Sequence, residues 1–204
     1  MSGSLLNPGS YGVSDDDPKV ALIHDLGKIV GELGIRPVVI GGIAVIVNGY
    51  PRTTTDVDLL VARADALKLV RRLESTLGFS KIRIDRFKHV DSGRTVDLCV
   101  EGELTSPRHQ DRFPSPTDVE QLPRDPLPVI GLIDLLALKA KSARSQDFAD
   151  FVRLFGLCGL SAQDVERVKA KITDPALRSG VDAWHAAAIE DLEREKLRRP
   201  PKLE

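Results

Sequence analysis

The apolar positions near the start of the chain recur at helical spacing. Between residues 18 and 33 they fall on one face of a helix, and Asp17-Pro18 is typical of a helix start. Gly34 and Pro37 end this predicted helix. Pro37–Ile40 is a short apolar run that predicts a buried strand, and it leads into the pair Gly41-Gly42.

Short strands and helices then alternate as far as residue 100. A short apolar helix is predicted through Val47, and an amphipathic helix at 64–77 ends before Gly78. Asp91-Ser92-Gly93 is typical of a hairpin turn. Strands are predicted at 56–61, 81–84, 87–90 and 95–100.

The chain changes character in its second half. Residues 101–128 contain several prolines and little periodicity, which predicts a long loop or a broken segment crossing the surface, and 127–130 predicts a last strand. Helices follow at about 131–143, 146–156, 162–172 and 176–197, to within about 2 to 4 residues. We therefore predict an α/β (α+β) core at 15–130, a C-terminal helical bundle at 131–204, and a flexible tail at 1–14.

Composition and net charge restrict the classes of function that are expected for this chain. The chain has 42% hydrophobic and 29% charged residues and a net charge of -1, so any nucleic-acid contact has to be local. Cys99 and Cys158 are far apart and are expected to be buried, reduced thiols. No apolar run approaches the roughly 18 residues of a membrane span, and the N-terminus lacks a signal-peptide pattern, so a cytoplasmic protein with no membrane partner is expected.

Two carboxylates two positions apart carry the first chemical signal. In the predicted strand at 56–61, Asp56 and Asp58 project to one face while Val57 and Leu59 project to the other. Carboxylates this close repel one another unless a cation lies between them. The pattern therefore favours a shared metal site, although an isolated Asp-x-Asp is also compatible with a solvated strand face.

The residues around this pair strengthen the metal interpretation. Gly41-Gly42 at a strand end lets backbone amides approach phosphate oxygens, although tight strand–helix packing would explain the glycines equally well. Asp97 lies in the predicted strand 95–100 and would reach the same pocket if the two Asp-containing strands are neighbours. Three convergent carboxylates suit a two-metal scheme with cations about 4 Å apart, in which Asp97 could also act as base.

The segment Ile40-Gly41-Gly42-Ile43-Ala44-Val45, with Asn48-Gly49 and Arg52-Thr53-Thr54-Thr55-Asp56-Val57-Asp58, resembles the polymerase-beta-like nucleotidyltransferase superfamily. Within it, the pattern is most similar to AbiEii-type nucleotidyltransferase toxins. Relatives often have His where this chain has Asn48. The resemblance implies a small mixed-sheet nucleotidyltransferase core flanked by helices.

The resemblance also implies roles for individual residues. Gly41 and Gly42 would hold phosphates, Asp56 and Asp58 would bind Mg²⁺ (or Mn²⁺), and Arg52 and Thr54 would support the nucleotide. A surface salt bridge for Arg52 and strand packing or capping for Thr54 are equally open.

A second similarity lies in the helices after residue 131. Relatives carry a Lys-then-Asp pair here, which places Lys139 at the triphosphate and lets Asp147 orient it or the acceptor. The alternatives are that Lys139 extends to solvent and that Asp147 complements a helix N-terminus. Phe148, Phe151 and Phe155 follow one helical face and are interpreted as packing residues.

The sequence leaves two classes of function open. The first is an enzyme that moves a nucleoside monophosphate from a nucleoside triphosphate to an acceptor hydroxyl, which would be a tRNA 3′ end, a protein, or a small molecule of the aminoglycoside type. The tRNA acceptor would imply a toxin with a cognate antitoxin. The second is a nucleotide-binding regulatory module of the same fold without turnover.

Overall fold

The structure is a computed structural model that describes residues 11–14 and 16–198, with side chains up to Arg194. The chain divides into two compact units. The first comprises the residues up to Glu103 together with Arg112–Leu135, and the second comprises Leu104–Asp111 together with the residues from Leu136 onward. The predicted boundary at residue 130 therefore differs from the observed one, which falls inside a helix, and the segment 104–111 groups with the C-terminal helices.

The described residues form seven α-helices and seven β-strands. The helices are α1 Pro18–Leu33, α2 Gly41–Val47, α3 Arg63–Ser75, α4 Leu132–Ser142, α5 Ser145–Cys158, α6 Ala162–Ala170 and α7 Pro175–Arg198. The strands are β1 Val38–Ile40, β2 Asp56–Val61, β3 Phe79–Arg83, β4 Arg86–His89, β5 Thr95–Val100, β6 Gln121–Leu122 and β7 Val129–Ile130. The α/β class and the mixed sheet predicted from the sequence are confirmed.

All the strands belong to one sheet in the first unit, in the order β3-β4-β5-β2-β1-β7-β6. The pairs β2–β5 and β1–β7 are parallel, and the remaining neighbours are antiparallel. Strand β1 lies inside the sheet and is buried along its whole length. This burial explains why the sequence of β1 is a continuous apolar run rather than an alternating one.

Helix α1 follows directly from its sequence signals. The Asp17 side chain accepts a hydrogen bond from the backbone N–H of Lys19 at 2.9 Å, and Gly34 ends the helix with φ 64°. Its apolar face is buried and packs against α3 and β2. The burial of this stripe stabilises the helix more than its intrinsic propensity does.

The N-terminal residues correct one prediction. Of the predicted flexible tail 1–14, residues 1–10 lie outside the described residues, but Tyr11 is buried. Its hydroxyl donates to the carbonyl of Leu127 at 2.7 Å and accepts from the N–H of Leu127 at 2.9 Å. Burial raises the pKa of Tyr11 to about 12. The tail prediction was wrong at this position because Tyr11 is buried and hydrogen-bonded, although its neighbours in sequence are rich in Gly and Ser.

Two further expectations need correction. Cys99 and Cys158 form no disulfide, as predicted, but Cys99 is only half-buried and Cys158 is exposed. The segment 101–128, predicted as a long loop or a broken segment, contains strand β6 and a 3₁₀ turn at Pro116–Asp118. Strand β6 was missed because its two residues form a strand only through pairing with β7, which no local pattern reveals.

The second unit is helical, as predicted. Helices α5 and α6 both pack against α7. The predicted packing face of α5 is confirmed for Phe151 and Phe155, which are buried and make ring contacts with Trp184 and His185 respectively. Within the described part of the chain, no helix is long and apolar enough to cross a membrane.

Candidate nucleotide and metal site

The site is built where strands β1, β2 and β5 lie side by side in the first unit. Asp58 of β2 is paired in register with Ile40 on one side and with Asp97 on the other. Asp56 is paired with Thr95 in the same way. The adjacency of the two Asp-containing strands, which the sequence left open, is therefore present.

The pleat of the strands places the carboxylates on one face of the sheet, which we call the carboxylate face. Val57 and Leu59 are fully buried on the opposite face, whereas Asp56 and Asp58 are half-buried. Since residues paired in register project to the same side, Asp97 shares the carboxylate face with Asp58. The alternation extends back to Arg52 and Thr54, which are also half-buried between exposed neighbours.

The glycine pair lies directly against this face. Gly41 has φ 65°, and a β-carbon on it would lie 1.8 Å from Oδ2 of Asp58. A β-carbon on Gly42 would lie 2.3 Å from Oγ1 of Thr54 and 3.1 Å from a terminal nitrogen of Arg52. Any side chain at either position would displace a predicted site residue, so glycine is required here by the close approach of the chain.

Arg52 and Thr54 also make local contacts. A terminal nitrogen of Arg52 donates to the carbonyl of Thr53 at 2.9 Å, and Oγ1 of Thr54 lies 3.5 Å from the carbonyl oxygen of Asp56. Both side chains thus contribute to the surroundings of Gly42. Their proposed contacts with a nucleotide stay predictions.

Arg86 is a member of this cluster that the sequence reasoning missed. Its Nε donates to Oδ1 of Asp97 at 2.5 Å, a terminal nitrogen donates to Oδ2 of Asp97, and the same nitrogen lies 3.7 Å from Oδ2 of Asp56. The hydrogen bond to Asp97 raises the pKa of Arg86 above its ordinary value, and the charges of Asp56 and Asp58 add to this effect.

The predicted hairpin turn at Asp91-Ser92-Gly93 does not by itself identify Arg86. Counting outward from that turn pairs Phe87 with Asp97, whereas the observed register pairs Arg86 with Asp97 and Lys88 with Thr95, because Val90 also belongs to the loop. Thr95 was missed because its contact with Asp56 depends on the parallel pairing of β2 with β5. Its hydroxyl donates to Oδ1 of Asp56 at 2.5 Å and so fixes one oxygen of that carboxylate.

The donor set suits a magnesium ion shared with a nucleotide. Among residues 11–14 and 16–198, no three His, Cys, Asp or Glu side chains form a ready-made metal cage. Mg²⁺ commonly takes one or two carboxylates together with phosphate oxygens and water, so Asp56 and Asp58 provide a sufficient protein contribution. Asp97 is bound by Arg86, and its proposed place as a third metal ligand stays a prediction.

The second predicted cluster lies in the second unit. Nζ of Lys139 lies 2.9 Å from Oδ1 of Asp147 and 2.7 Å from Oδ2 of Asp150, and all three side chains are buried. The expected pairing of Lys139 with Asp147 is present, with Asp150 as an additional partner. The alternative in which Lys139 extends to solvent is wrong.

The Asp147 carboxylate is also bound by Arg144, whose Nε lies 2.7 Å away. Burial raises the pKa of Asp147, but the hydrogen bond from Arg144 and the charge of Lys139 outweigh it and hold the pKa below its ordinary value. The cluster is therefore an ionised, internally compensated group. Its proposed contact with a triphosphate or acceptor stays a prediction.

Asn48, the departure from the resembled pattern, has a structural role. Its side-chain amide donates to the carbonyl of Ala44 at 2.8 Å and to the carbonyl of Ile130 at 3.0 Å. These bonds join the end of α2 to β7.

Known proteins match this chain in structure, whereas comparison by sequence found no match. No protein-family profile and no curated protein matches this sequence. Solved structures do match: the solution structure of the antibiotic-resistance factor ANT(2'')-Ia has a TM-score of 0.52 and 16% sequence identity, covering 88% of this chain and 99% of that one. The crystal structure of ANT(2'')-Ia in complex with adenylyl-2''-tobramycin has a TM-score of 0.51 and 14% identity, covering 82% of this chain and 98% of that one.

Both matches extend over nearly the whole of the ANT(2'')-Ia chain. The chain described here therefore shares the fold of ANT(2'')-Ia.

Proposed function

We propose that this protein is a metal-dependent nucleotidyltransferase that moves a nucleoside monophosphate from a nucleoside triphosphate to an acceptor hydroxyl. The observation that carries the proposal is the direct contact between the Gly41 backbone and the Asp58 carboxylate, with Asp97 in register beside it. This arrangement combines a place for phosphate oxygens with oxygen ligands for a cation. The structural similarity to ANT(2'')-Ia supports the proposal from a separate comparison.

Asp56 and Asp58 are the proposed ligands of Mg²⁺ (or Mn²⁺). When bound, the cation would neutralise the charge of the triphosphate and lower the pKa of the acceptor hydroxyl. Thr95 donates to Oδ1 of Asp56, and Oδ2 of that carboxylate lies 3.7 Å from a terminal nitrogen of Arg86. The backbone at Gly41 and Gly42 would hold phosphate oxygens beside Asp58, with Arg52 and Thr54 supporting the nucleotide.

The transfer itself is an in-line displacement at the α-phosphorus. The acceptor oxygen forms a bond to the α-phosphorus, the bond to the β-phosphate oxygen breaks, and pyrophosphate leaves. Asp97 is the proposed base that takes the proton of the acceptor hydroxyl. Most of the rate enhancement would come from fixed charges around the phosphates rather than from covalent chemistry.

Two acceptor classes have separate support. The sequence resemblance to AbiEii-type toxins favours a tRNA 3′ end, which would make the protein a cytoplasmic toxin with a cognate antitoxin. The complex of ANT(2'')-Ia with adenylyl-2''-tobramycin favours an aminoglycoside-type small molecule. Both use the same metal and triphosphate chemistry and differ only in the hydroxyl supplied.

A labelled-transfer assay tests the proposal. Purified protein is incubated with Mg²⁺, each α-³²P-labelled nucleoside triphosphate, and either total tRNA or tobramycin as acceptor. Label in an acceptor supports transfer and identifies the acceptor class. Triphosphate binding without label in any acceptor would instead support the nucleotide-binding regulatory module.

Asp58→Asn is the test variant and Asp91→Asn is its matched control, because Asp91 is an exposed carboxylate in the hairpin turn of the same unit. We expect loss of transfer in the first and wild-type transfer in the second. Full transfer by Asp58→Asn would contradict the proposed site.

A further inference from the structure

Arg86 is placed where a cation would be expected among the carboxylates. It contacts Asp97 through two nitrogens and Asp56 through one of them, all on the carboxylate face. The side chains of Arg86, Asp97 and Asp56 are 34%, 17% and 38% exposed, so their interaction is only partly screened by solvent. The two-point contact with Asp97 is the geometry in which guanidinium binds carboxylate most strongly.

This contact reduces the repulsion among the carboxylates of the nucleotide-free protein. Asp56, Asp58 and Asp97 lie on two neighbouring strands, and their charges repel one another when no cation is present. A guanidinium between two of them reduces this repulsion. It also donates to both oxygens of Asp97, so this carboxylate is paired with Arg86 instead of sharing a cation with Asp56 and Asp58.

We infer that Arg86 is a positioning residue that acts as an internal counter-ion, holding Asp97 until a divalent cation and its nucleotide replace the guanidinium. The inference rests on the proposed function, because it concerns the same carboxylates. Metal entry requires Arg86 to leave Asp97, since two cations close together on one carboxylate repel each other. Arg86 therefore sets the affinity of the site for metal in the absence of nucleotide.

Arg86 does not release Asp97 by losing its own proton. A guanidinium keeps its proton throughout the physiological pH range, and the neighbouring carboxylates strengthen this. Only competition from another positive charge can release Asp97. The triphosphate brings metal with it and therefore couples assembly of the three carboxylates to nucleotide binding.

The test is direct measurement of Mn²⁺ binding without nucleotide, using the electron paramagnetic resonance signal of free Mn²⁺. Arg86→Gln removes the charge and keeps a hydrogen-bond donor to Asp97. We expect it to bind Mn²⁺ about 10- to 100-fold more tightly than wild type, the range that follows from losing a hydrogen bond between charged groups. Arg86→Lys keeps the charge without the two-point contact and is expected to lie between the two.

Lys88→Met is the matched control. Lys88 is two residues from Arg86 on β4, is exposed, and pairs with Thr95, so its loss removes the same charge from the same face without touching Asp97. We expect wild-type Mn²⁺ affinity. Affinity in Arg86→Gln equal to or weaker than wild type, in protein whose melting curve shows it folded, would overturn the inference, as would an equal gain in Lys88→Met.

A parallel titration separates this inference from the proposed function. Wild type is titrated with Mn²⁺ in the presence of a nucleoside triphosphate. If wild type binds Mn²⁺ tightly there, but Arg86→Gln shows no gain in Mn²⁺ affinity in the nucleotide-free titration, the role of Arg86 is refuted and the proposed function stands. Failure of wild type and all variants to bind Mn²⁺ together with any triphosphate refutes the proposed function itself.

Discussion

Gly41 and Asp58 are in direct contact, although seventeen positions of sequence separate them. A β-carbon on Gly41 would lie 1.8 Å from Oδ2 of Asp58 and 2.6 Å from its Cγ. The contact exists because β1 and β2 are antiparallel neighbours with Ile40 opposite Asp58, so the first residue after β1 folds over the carboxylate. The glycine turn and the acidic strand are thus two parts of one site.

Replacing Gly41 tests this relationship. Gly41→Ala adds a methyl group into the Asp58 carboxylate at a backbone φ of 65°, so the strain of the left-handed conformation and a steric clash both apply. We expect a loss of stability well above 1 kcal/mol and loss of metal-dependent triphosphate binding. Thermal melting and isothermal titration with triphosphate and Mg²⁺ measure the two effects.

Gly34→Ala is the matched control for that variant. Gly34 has φ 64°, nearly the same conformation, but no atom lies within 4 Å of the position of an added β-carbon. Only the backbone strain applies, for which we expect about 1 to 2 kcal/mol and unchanged triphosphate binding. Equal effects of the two substitutions would show that the Asp58 contact has no consequence.

Asp97→Asn is predicted to separate binding from turnover. If Asp97 takes the proton of the acceptor hydroxyl, replacing its carboxylate with the amide of Asn should lower kcat by about 10²- to 10⁴-fold, the usual range for a general base. Triphosphate binding should persist because Asp56 and Asp58 are retained. Single-turnover kinetics and equilibrium binding provide the two measurements, and Asp91→Asn again serves as the control. An unchanged kcat would remove Asp97 from the proposed chemistry.

The buried cluster in the second unit leads to a prediction about stability. Lys139→Met leaves Asp147 and Asp150 buried without the ammonium between them, for which we expect a loss of about 3 to 5 kcal/mol. Urea denaturation measures it. Lys169→Met is the control, because Lys169 also lies 2.9 Å from two carboxylates, Glu166 and Asp182, but on the surface. Its change in urea midpoint should be much smaller, and comparable changes would argue that burial is unimportant.

Tyr11 predicts a loss of stability at alkaline pH. Burial raises its pKa from 10.0 to about 12, so between these values the unfolded chain loses the phenolic proton while the folded chain keeps it. The contribution of Tyr11 is therefore fully present below pH 10 and falls by about 2 to 3 kcal/mol as the pH rises to about 12. Denaturant midpoints measured across this range should fall steeply in wild type.

Tyr11→Phe should be less stable than wild type below pH 10, because the Leu127 hydrogen bonds are lost, but should decline less steeply above it. Tyr50→Phe should keep the wild-type slope. The prediction fails if Tyr11→Phe declines as steeply as wild type.

Several elements were predictable because their causes are local. The helix at 18–33 has an apolar stripe between a capping Asp17 and Gly34, and the predicted bounds of the four C-terminal helices also lie close to the observed ones. Asp56 and Asp58 could be assigned to one face from the strand period alone. Tyr11, β6 and the exposure of Cys158 were not predictable, because each depends on a partner or a surface distant in sequence.

The sequence alone determined which residues could take part in chemistry: the glycine pair, the Asp-x-Asp strand and the third aspartate are defined by residue type and by a period of two. Tertiary structure decided which of them meet. Strand order placed β5 beside β2, so that Asp97 joined Asp58, and it placed β4 beside β5, so that Arg86 reached Asp97. Strand pairing is a contact between segments distant in sequence, and its energy depends on buried faces and register across the whole sheet, which no local pattern contains.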